Sequence, residues 1–227
     1  PIADAEMRGT PGYTWINSHS VEIGSSNAQN IQSYGQTMNL ITNMSHTVAD
    51  KQGKPQYGYG TTTPTAGGTA MNAFDGAVFN TSTVGNELRF SVPIVNLLTS
   101  AEKSIPLFNI GAIRLNFVTS SLADMFNTSG STPTSFTVKD LQLRYKVIDL
   151  GREVENEIKM ANPNGLKIKS EGWSVSSTLL PSGASGSQSL TYNTRFSSLK
   201  SVFSTHSCSP STGNQLYDSC DLVAGGT

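Results

Sequence analysis

The segment "LQLRYKVIDL", residues 141–150, constrains the fold more than any other part of the chain. Apolar residues occupy every second position from Leu141 to Val147, and polar or basic residues stand between them. Successive side chains of a β-strand point to opposite faces, so this pattern predicts a half-buried strand. Similar alternation occurs at residues 13–23, 87–93, 113–119 and 189–195, which predicts an all-β protein.

The phase of this alternation slips just before the segment. Phe136 and Val138 stand on the opposite parity from Leu141, so one face cannot bury both halves of a regular strand. A β-bulge near Lys139 and Asp140 would keep both halves facing the core. Further strands are predicted around Lys167 to Val175, where apolar and polar residues again alternate.

Two segments show a helical period instead. Ile31, Tyr34, Met38 and Ile41 are spaced by three and four, with Ser26 and Gln29 as a predicted capping box before them. The second helix contains Val154 and Ile158, carries Glu153, Glu155 and Glu157 on a solvated face, and ends at 162–165. Shorter helical turns are predicted at 94–104 and 196–203.

Between these elements lie a polar insert and an uncharged stretch. Residues 49–86 are rich in Gly, Thr and Pro, which predicts a surface excursion with one short strand at Ala77–Asn80. Residues 104–113 carry no charge, which predicts a buried entry into the strand that contains Leu115 and Phe117.

The element order favours a β-sandwich or barrel. Strands that do not alternate with long helices argue against a doubly wound parallel sheet. Residues 166–227 are too few for a complete sandwich of about 100 residues. They either complete the sheets of the first domain or begin a second domain that this chain does not finish.

Composition excludes several functional classes. Charged residues make up 14% of the chain and the net charge is −1, so no overall field attracts nucleic acid or an anionic membrane. The two cysteines, Cys208 and Cys220, form either one disulfide or two free thiols. No apolar run reaches the ~20 residues of a membrane span, and the N-terminus lacks a signal-peptide pattern.

The sequence contains no recognisable catalytic or metal-binding pattern. His206, Cys208 and Cys220 lack the paired spacing of a zinc site, and residues 183–187 fail as a nucleophile elbow. The sequons at Asn43, Asn80 and Asn127 are expected by chance in so Ser- and Asn-rich a chain. We therefore predict a protein that is not an enzyme, with no cofactor and no catalytic, cofactor-binding or metal-binding residue.

Three stretches, in this order, carry a resemblance to a known family: "INSHSVEIGSSNAQNIQSYGQTMNLIT", "LLTSAEKSIPLFNIGAIRLNFVTSS" and "FTVKDLQLRYKVIDLGREVENEI". Together they resemble the double jelly-roll major capsid proteins of tailless icosahedral DNA viruses, including phages, polinton-like viruses and large DNA viruses. "LKIKSEGWSV" and "TRFSSLKSVFST" are similar to the opening of that family's second roll.

The resemblance implies a domain division and a function. Residues 1–150 would form a first jelly roll with the insert 49–86, residues 151–165 a linker helix and turn, and residues 166–227 an incomplete second roll. The protein would be a virion component that forms homotrimeric, pseudo-hexagonal capsomers. Its partners would be itself, neighbouring capsomers, minor capsid or penton proteins and, indirectly, an internal membrane, with no specific nucleic-acid contact.

Two alternatives accompany this expectation. A β-sandwich carbohydrate- or receptor-binding module would use aromatic residues as stacking platforms, namely Trp15, Tyr57, Tyr59, Trp173 and Tyr192. An enzyme of the double-stranded β-helix class would need a His-x-Asp or His-x-Glu pair, which the sequence lacks.

Overall fold

The described part of the chain is organised around a three-stranded antiparallel sheet. The computed structural model describes residues 5–7, 10–47, 50, 78–79, 90–127, 134–165 and 167–178, with short pieces at 187, 189, 191 and 198–204. Strands β2 (Ile16–Ile23), β3 (Ser26–Ile31) and β5 (Ile113–Thr119) form this main sheet in the order β3-β2-β5. The strand that we predicted at 113–119 is therefore confirmed.

A two-residue turn joins β2 to β3. Gly24 adopts φ +62°, the left-handed conformation that glycine tolerates and that such tight hairpin loops require. The pairing shifts between Val21, which faces Gln29, and Glu22, which faces Asn27, so Ala28 is an extra residue in β3. This bulge increases the local twist of an edge strand.

A second, smaller sheet has the order β4-β1-β6. It contains β1 (Ala5–Met7), β4 (Val78–Phe79) and β6 (Phe126–Asn127), all antiparallel. Strand β4 lies inside the predicted strand Ala77–Asn80, which is thereby confirmed. The rest of the insert 49–86, except Asp50, lies outside the described residues.

Helix α2 (Tyr34–Ser45) is the long helix predicted from its apolar spacing, but it begins later than expected. Ser26 and Gln29 are strand residues of β3, so the predicted capping box is wrong. The N-cap residue is Ser33, which has φ 49° and no side-chain cap hydrogen bond. A preceding short helix, α1 (Pro11–Thr14), occupies part of the strand predicted at 13–23, because Pro11 at its first position favours a helical turn.

The core lies between the main sheet and these helices. Its buried apolar side chains are Tyr13, Trp15, Ile16, Ile31, Tyr34, Met38, Met125 and Phe126. The Tyr34 and Met38 stripe is therefore core packing, as predicted. Phe126 belongs to β6 and directly follows helix α3 (Leu122–Met125). Ser121 caps the N-terminus of α3, because its side chain accepts a hydrogen bond from Asp124 N.

Residues 90–112 form an irregular connection that contains one of the predicted helical turns, closed by the bond from Ser100 N to the Asn96 carbonyl at 3.0 Å. The described part of the 87–93 segment has no strand, although Phe90 and Val92 pack against the core as predicted. A turn occupies 97–100, and a 3₁₀ helix spans Leu107–Asn109. Leu107 is 54% exposed, so the prediction of a buried entry into β5 is wrong there.

The strand predicted at 141–150 is absent from the structure. These residues form no helix and pair with no described strand, and all are exposed. No bulge therefore exists at 139–140, although Asp140 has φ 51°, so the chain does change course where the phase slips. Phe136 and Val138 pack against the core as predicted.

Helix α4 (Gly151–Ala161) follows and confirms the helix predicted there. Gly151 has φ +75°, and its N–H donates to Asp149 Oδ1 at 3.0 Å. The helix ends at Asn162, before the turn at Pro163 and Asn164. The division into domains at 151–165 stays a prediction.

Beyond α4, the described residues form neither a helix nor a strand ladder. Ile168, Trp173 and Val175 are half-buried while their neighbours are exposed, so the predicted alternation is present but the predicted strand pairing is not. Residues 198–204 contain no helix, contrary to the helical spacing of the sequence. Trp173 stacks on Phe203, with ring centroids 6.0 Å apart.

Candidate interaction surface

The most unusual surface of the described residues is the exposed apolar strip at 141–147. Leu141, Leu143, Tyr145 and Val147 expose 64, 53, 77 and 60% of their area. Their spacing places all four on one face of an extended segment. A row of this kind is the normal inner face of a sheet, so its exposure makes it the candidate interaction surface of the described residues.

The other face of the strip and the helix after it are charged with opposite sign. Arg144 and Lys146 alternate with the apolar residues of the strip, whereas α4 carries Glu153, Glu155 and Glu157. The helix buries none of its residues, and Met160 is 83% exposed. Lys159 of α4 lies over the Phe108 ring at 5.0 Å, a cation–π contact with the 3₁₀ helix.

The second candidate is a buried polar cluster around His19 in β2. His19 is 1% exposed, and its Nδ1 lies 3.1 Å from the Asn116 carbonyl oxygen. Its Nε2 lies 3.0 Å from Asn96 Nδ2. The imidazole also stacks on Phe117 at 4.5 Å and contacts the Tyr34 ring edge-on at 5.2 Å.

The Asn96 amide fixes which nitrogen of the neutral His19 ring carries the proton. Asn96 Oδ1 accepts from the N–H groups of Leu98 and Thr99, at 2.9 and 3.0 Å. The Nδ2 group therefore faces His19 as a donor, so Nε2 must accept and Nδ1 must carry the proton. Burial lowers the pKa of His19, against the smaller raising effect of its backbone hydrogen bond to Asn116.

Tyrosine hydroxyls hold the chain just before Asn96. Tyr34 Oη accepts from Val95 N at 2.9 Å and donates to the Val95 carbonyl at 3.3 Å, while Tyr13 Oη donates to the Pro93 carbonyl at 2.8 Å. Burial raises the pKa of Tyr34 to about 12. This hydroxyl is therefore neutral at ordinary pH and serves as a structural bridge.

Gln29 joins the same turn to the second half of the chain. Its Oε1 accepts from Leu97 N at 2.7 Å, and its Nε2 donates to the Trp173 carbonyl at 3.3 Å. Glu102 N donates to the Lys169 carbonyl at 3.2 Å, and Ser170 Oγ donates to the Leu97 carbonyl. Residues 167–175 are thus docked on the 96–102 turn through polar contacts.

Two open grooves accompany these features. One, of about 520 Å³, lies between α3 and the 135–138 segment, and its lining includes Leu122, Phe136 and Val138. The other, of about 200 Å³, is lined by polar residues around Asn17, Gln36 and Asp124. In the parts of the chain that the structure covers, no three His, Cys, Asp or Glu residues stand close enough to hold a metal ion. Nor, over those same ranges, is any helix sufficiently long and apolar to cross a membrane.

The structure places only some of the residues considered from the sequence. His206, Cys208 and Cys220 lie outside the described residues, as do Tyr57, Tyr59 and Tyr192. Trp15 is buried in the core and Trp173 is half-buried against Phe203, so neither presents an open ring for a sugar. The glutamates of α4 face solvent fully or in part, as expected.

Sequence reasoning missed the His19–Asn96 pair, whose members are 77 positions apart. The sequence does carry a local signal for Asn96. An Asn followed three residues later by a Thr has the spacing at which each side chain can accept a hydrogen bond from the backbone N–H of the other, and both bonds are present here. Comparison of the chain with protein-family models, curated proteins and solved structures finds no match.

Proposed function

We propose that this protein is a structural subunit that assembles with copies of itself, as the major capsid protein of an icosahedral virion. The finer form of the proposal is a double jelly roll that forms homotrimeric capsomers. The observation that carries it is the exposed apolar strip at 141–147, supported by the family resemblance of the sequence. Minor capsid or penton proteins would be further partners.

The energetics of the strip favour a polypeptide partner. Four side chains that are each more than half exposed would gain roughly 1–2 kcal/mol apiece on burial. The unpaired backbone of an extended segment adds a row of donors and acceptors that a neighbouring strand can satisfy. A strand-like partner therefore fits this surface better than a small molecule does.

Charge indicates how a second copy would sit. If two strips paired antiparallel in full overlap, Arg144 would face the Arg144 of the partner copy, and like charges directly opposite destabilise a strand pair. Glu153 and Glu157, which lie one turn apart on the same face of α4, are the complementary charges for Arg144 and Lys146. A contact between the strip of one copy and the α4 region of the next is heterologous, and contacts of this kind form rings, such as the proposed trimer, when the rotation between copies closes, and filaments when it does not.

The low overall charge of the chain supports extensive contact surfaces. With 14% charged residues, large interfaces can form with few ions to desolvate, and isolated buried ions are costly. Obligate interfaces bury roughly 2,000–5,000 Å². No specific observation favours the carbohydrate-binding alternative, since Trp15 and Trp173 are both packed against the protein.

Native mass spectrometry and negative-stain electron microscopy of the whole chain test this proposal. We expect trimers, and we expect Leu143→Asp to convert them to monomers whose circular dichroism spectrum matches that of the wild type, because Leu143 is exposed in the single chain. The matched control is Val118→Asp, since Val118 is equally exposed, at 53%, but lies in β5, outside both the strip and α4. A wild-type monomer at micromolar concentration, or trimers of Leu143→Asp as stable as those of the wild type, would refute the proposal.

A further inference from the structure

We propose that His19 and Asn96 form an acid-sensitive latch. At neutral pH it holds the 96–100 turn, and through that turn residues 167–175, on the main sheet; acidification releases both. The latch is a property of the single chain and does not depend on the proposed self-association.

The latch follows from the hydrogen-bond arrangement of the pair. Protonation of His19 turns Nε2 into a donor that faces the Asn96 amide donor at 3.0 Å. A flip of the amide would relieve this conflict, but it would remove the acceptor of Leu98 N and Thr99 N. Both routes therefore loosen the turn.

The surroundings of His19 give the charged ring little compensation. The 90–100 segment and β3 contain no charged residue, and the titratable group that α2 presents is Tyr34. On β5 and β2 the charges are Arg114 and Glu22, which pair with each other at 3.6 Å. The side chain of Asn116 donates from Nδ2 to Glu22 Oε1 at 2.9 Å. The backbone carbonyl of the same residue accepts from His19 Nδ1.

Stacking of the His19 ring on Phe117 only partly opposes the release of the turn on protonation. A positive charge over the Phe117 ring is favourable. Removal of the ring from water acts in the opposite direction: burial lowers the pKa of His19 and exceeds the raising effect of the hydrogen bond to the Asn116 carbonyl. The charged form is therefore disfavoured while the turn stays in place.

The 96–102 turn passes the release of Asn96 on to residues 167–175, because the groups that bond the two segments do not change protonation between pH 7.5 and pH 5.0. Gln29 and the Ser170 hydroxyl both bind the backbone of Leu97, next to Asn96. Glu102 N binds Lys169 at the end of the same segment. When Asn96 leaves the sheet, these contacts lose their fixed positions, and residues 167–175 lose their docking surface.

Hydrogen exchange of the whole chain, corrected for intrinsic rates and compared at pH 7.5 and pH 5.0, tests the latch. We expect at least a tenfold loss of protection in peptides covering 96–102 and 167–175 at pH 5.0, with α2 unchanged. His19→Gln should remove this pH dependence. His46→Gln is the matched control, because His46 lies at the end of α2, and it should behave as the wild type.

A reversing substitution makes the test sharper. Asn96→Asp keeps an acceptor for Leu98 N and Thr99 N and turns a second oxygen toward His19, so the protonated ring gains a partner. We expect this variant to keep the turn protected at pH 5.0. If His19→Gln does not fold, the wild type still decides: the His19 imidazole and the Leu98 and Thr99 amide signals should titrate together in nuclear magnetic resonance spectra. The latch is overturned if wild-type protection does not change, if α2 is lost equally, if His19→Gln keeps the pH dependence, or if these signals titrate at different pH values.

Discussion

Replacement of Tyr34 by Phe tests how the core holds the 90–100 segment. Tyr34 is fully buried, and its hydroxyl both accepts from Val95 N at 2.9 Å and donates to the Val95 carbonyl at 3.3 Å. Phe keeps the ring and its packing, so no large cavity forms. The substitution removes only the bridge.

The expected cost comes from the groups left behind. A buried N–H without a partner costs about 1–3 kcal/mol. The carbonyl bond is longer and its loss costs less, so we expect a total loss of about 2 kcal/mol in the free energy of unfolding. For a chain of 150–250 residues, about 1 kcal/mol corresponds to roughly 2–4 °C, so the melting temperature should fall by about 4–8 °C.

The dependence of stability on pH gives a second signature. Burial raises the pKa of Tyr34 to about 12, above its ordinary value of 10.0. A raised folded-state pKa means that this stabilisation is complete below pH 10 and is lost as pH rises toward 12, because the unfolded chain releases the proton first. The Tyr34→Phe variant should lack this part of the alkaline destabilisation.

Urea unfolding followed by circular dichroism measures both effects. Tyr145→Phe is the matched control, because Tyr145 is 77% exposed, and its stability should stay within about 0.5 kcal/mol of the wild type. A Tyr34→Phe variant as stable as this control would refute the bridge.

Two further substitutions test other contacts. Gln29→Ala leaves Leu97 N without its acceptor and should cost about 1–3 kcal/mol in urea unfolding, whereas Gln32→Ala, which breaks only an exposed bond to Asn30, should cost little. Phe117→Asp removes the ring stacked on His19, and loss of a core Phe alone costs about 3–5 kcal/mol, so melting curves should show a severely destabilised protein without assemblies in electron micrographs. Val118→Asp, on the exposed face of the same strand, should melt like the wild type; equal damage from both substitutions would contradict the assignment of faces.

The spacing of apolar residues predicted a strand or helix correctly where the surface on which that element packs lies within the described residues. The alternation of Leu115 and Phe117 predicted β5 because β2 lies beside it. The spacing of Tyr34 and Met38 predicted α2 because those residues pack on the core. At 141–150 an equally strong pattern has no strand beside it among the described residues, and a period alone cannot specify which surface a strand will meet.

The start of α2 shows a different limit. The capping spacing of Ser26 and Gln29 was satisfied in the sequence, but tertiary pairing with β2 prevailed. The polar cluster was beyond prediction because His19 and Asn96 meet only after the chain has folded. Hydrogen bonds between residues so far apart leave no periodic trace in the sequence.

The pairing of β2 with β5 has a consequence for how the protein is made. About 90 residues separate the end of β2 from the start of β5, and a ribosome adds about 5–20 residues per second. The β2–β3 hairpin therefore waits roughly 5–20 s for its third strand, and a lone hairpin is marginally stable in water. Helix α2 follows directly and can cover the apolar face of the hairpin, but throughout that interval the edge of β2 that pairs with β5 keeps its backbone groups unpaired.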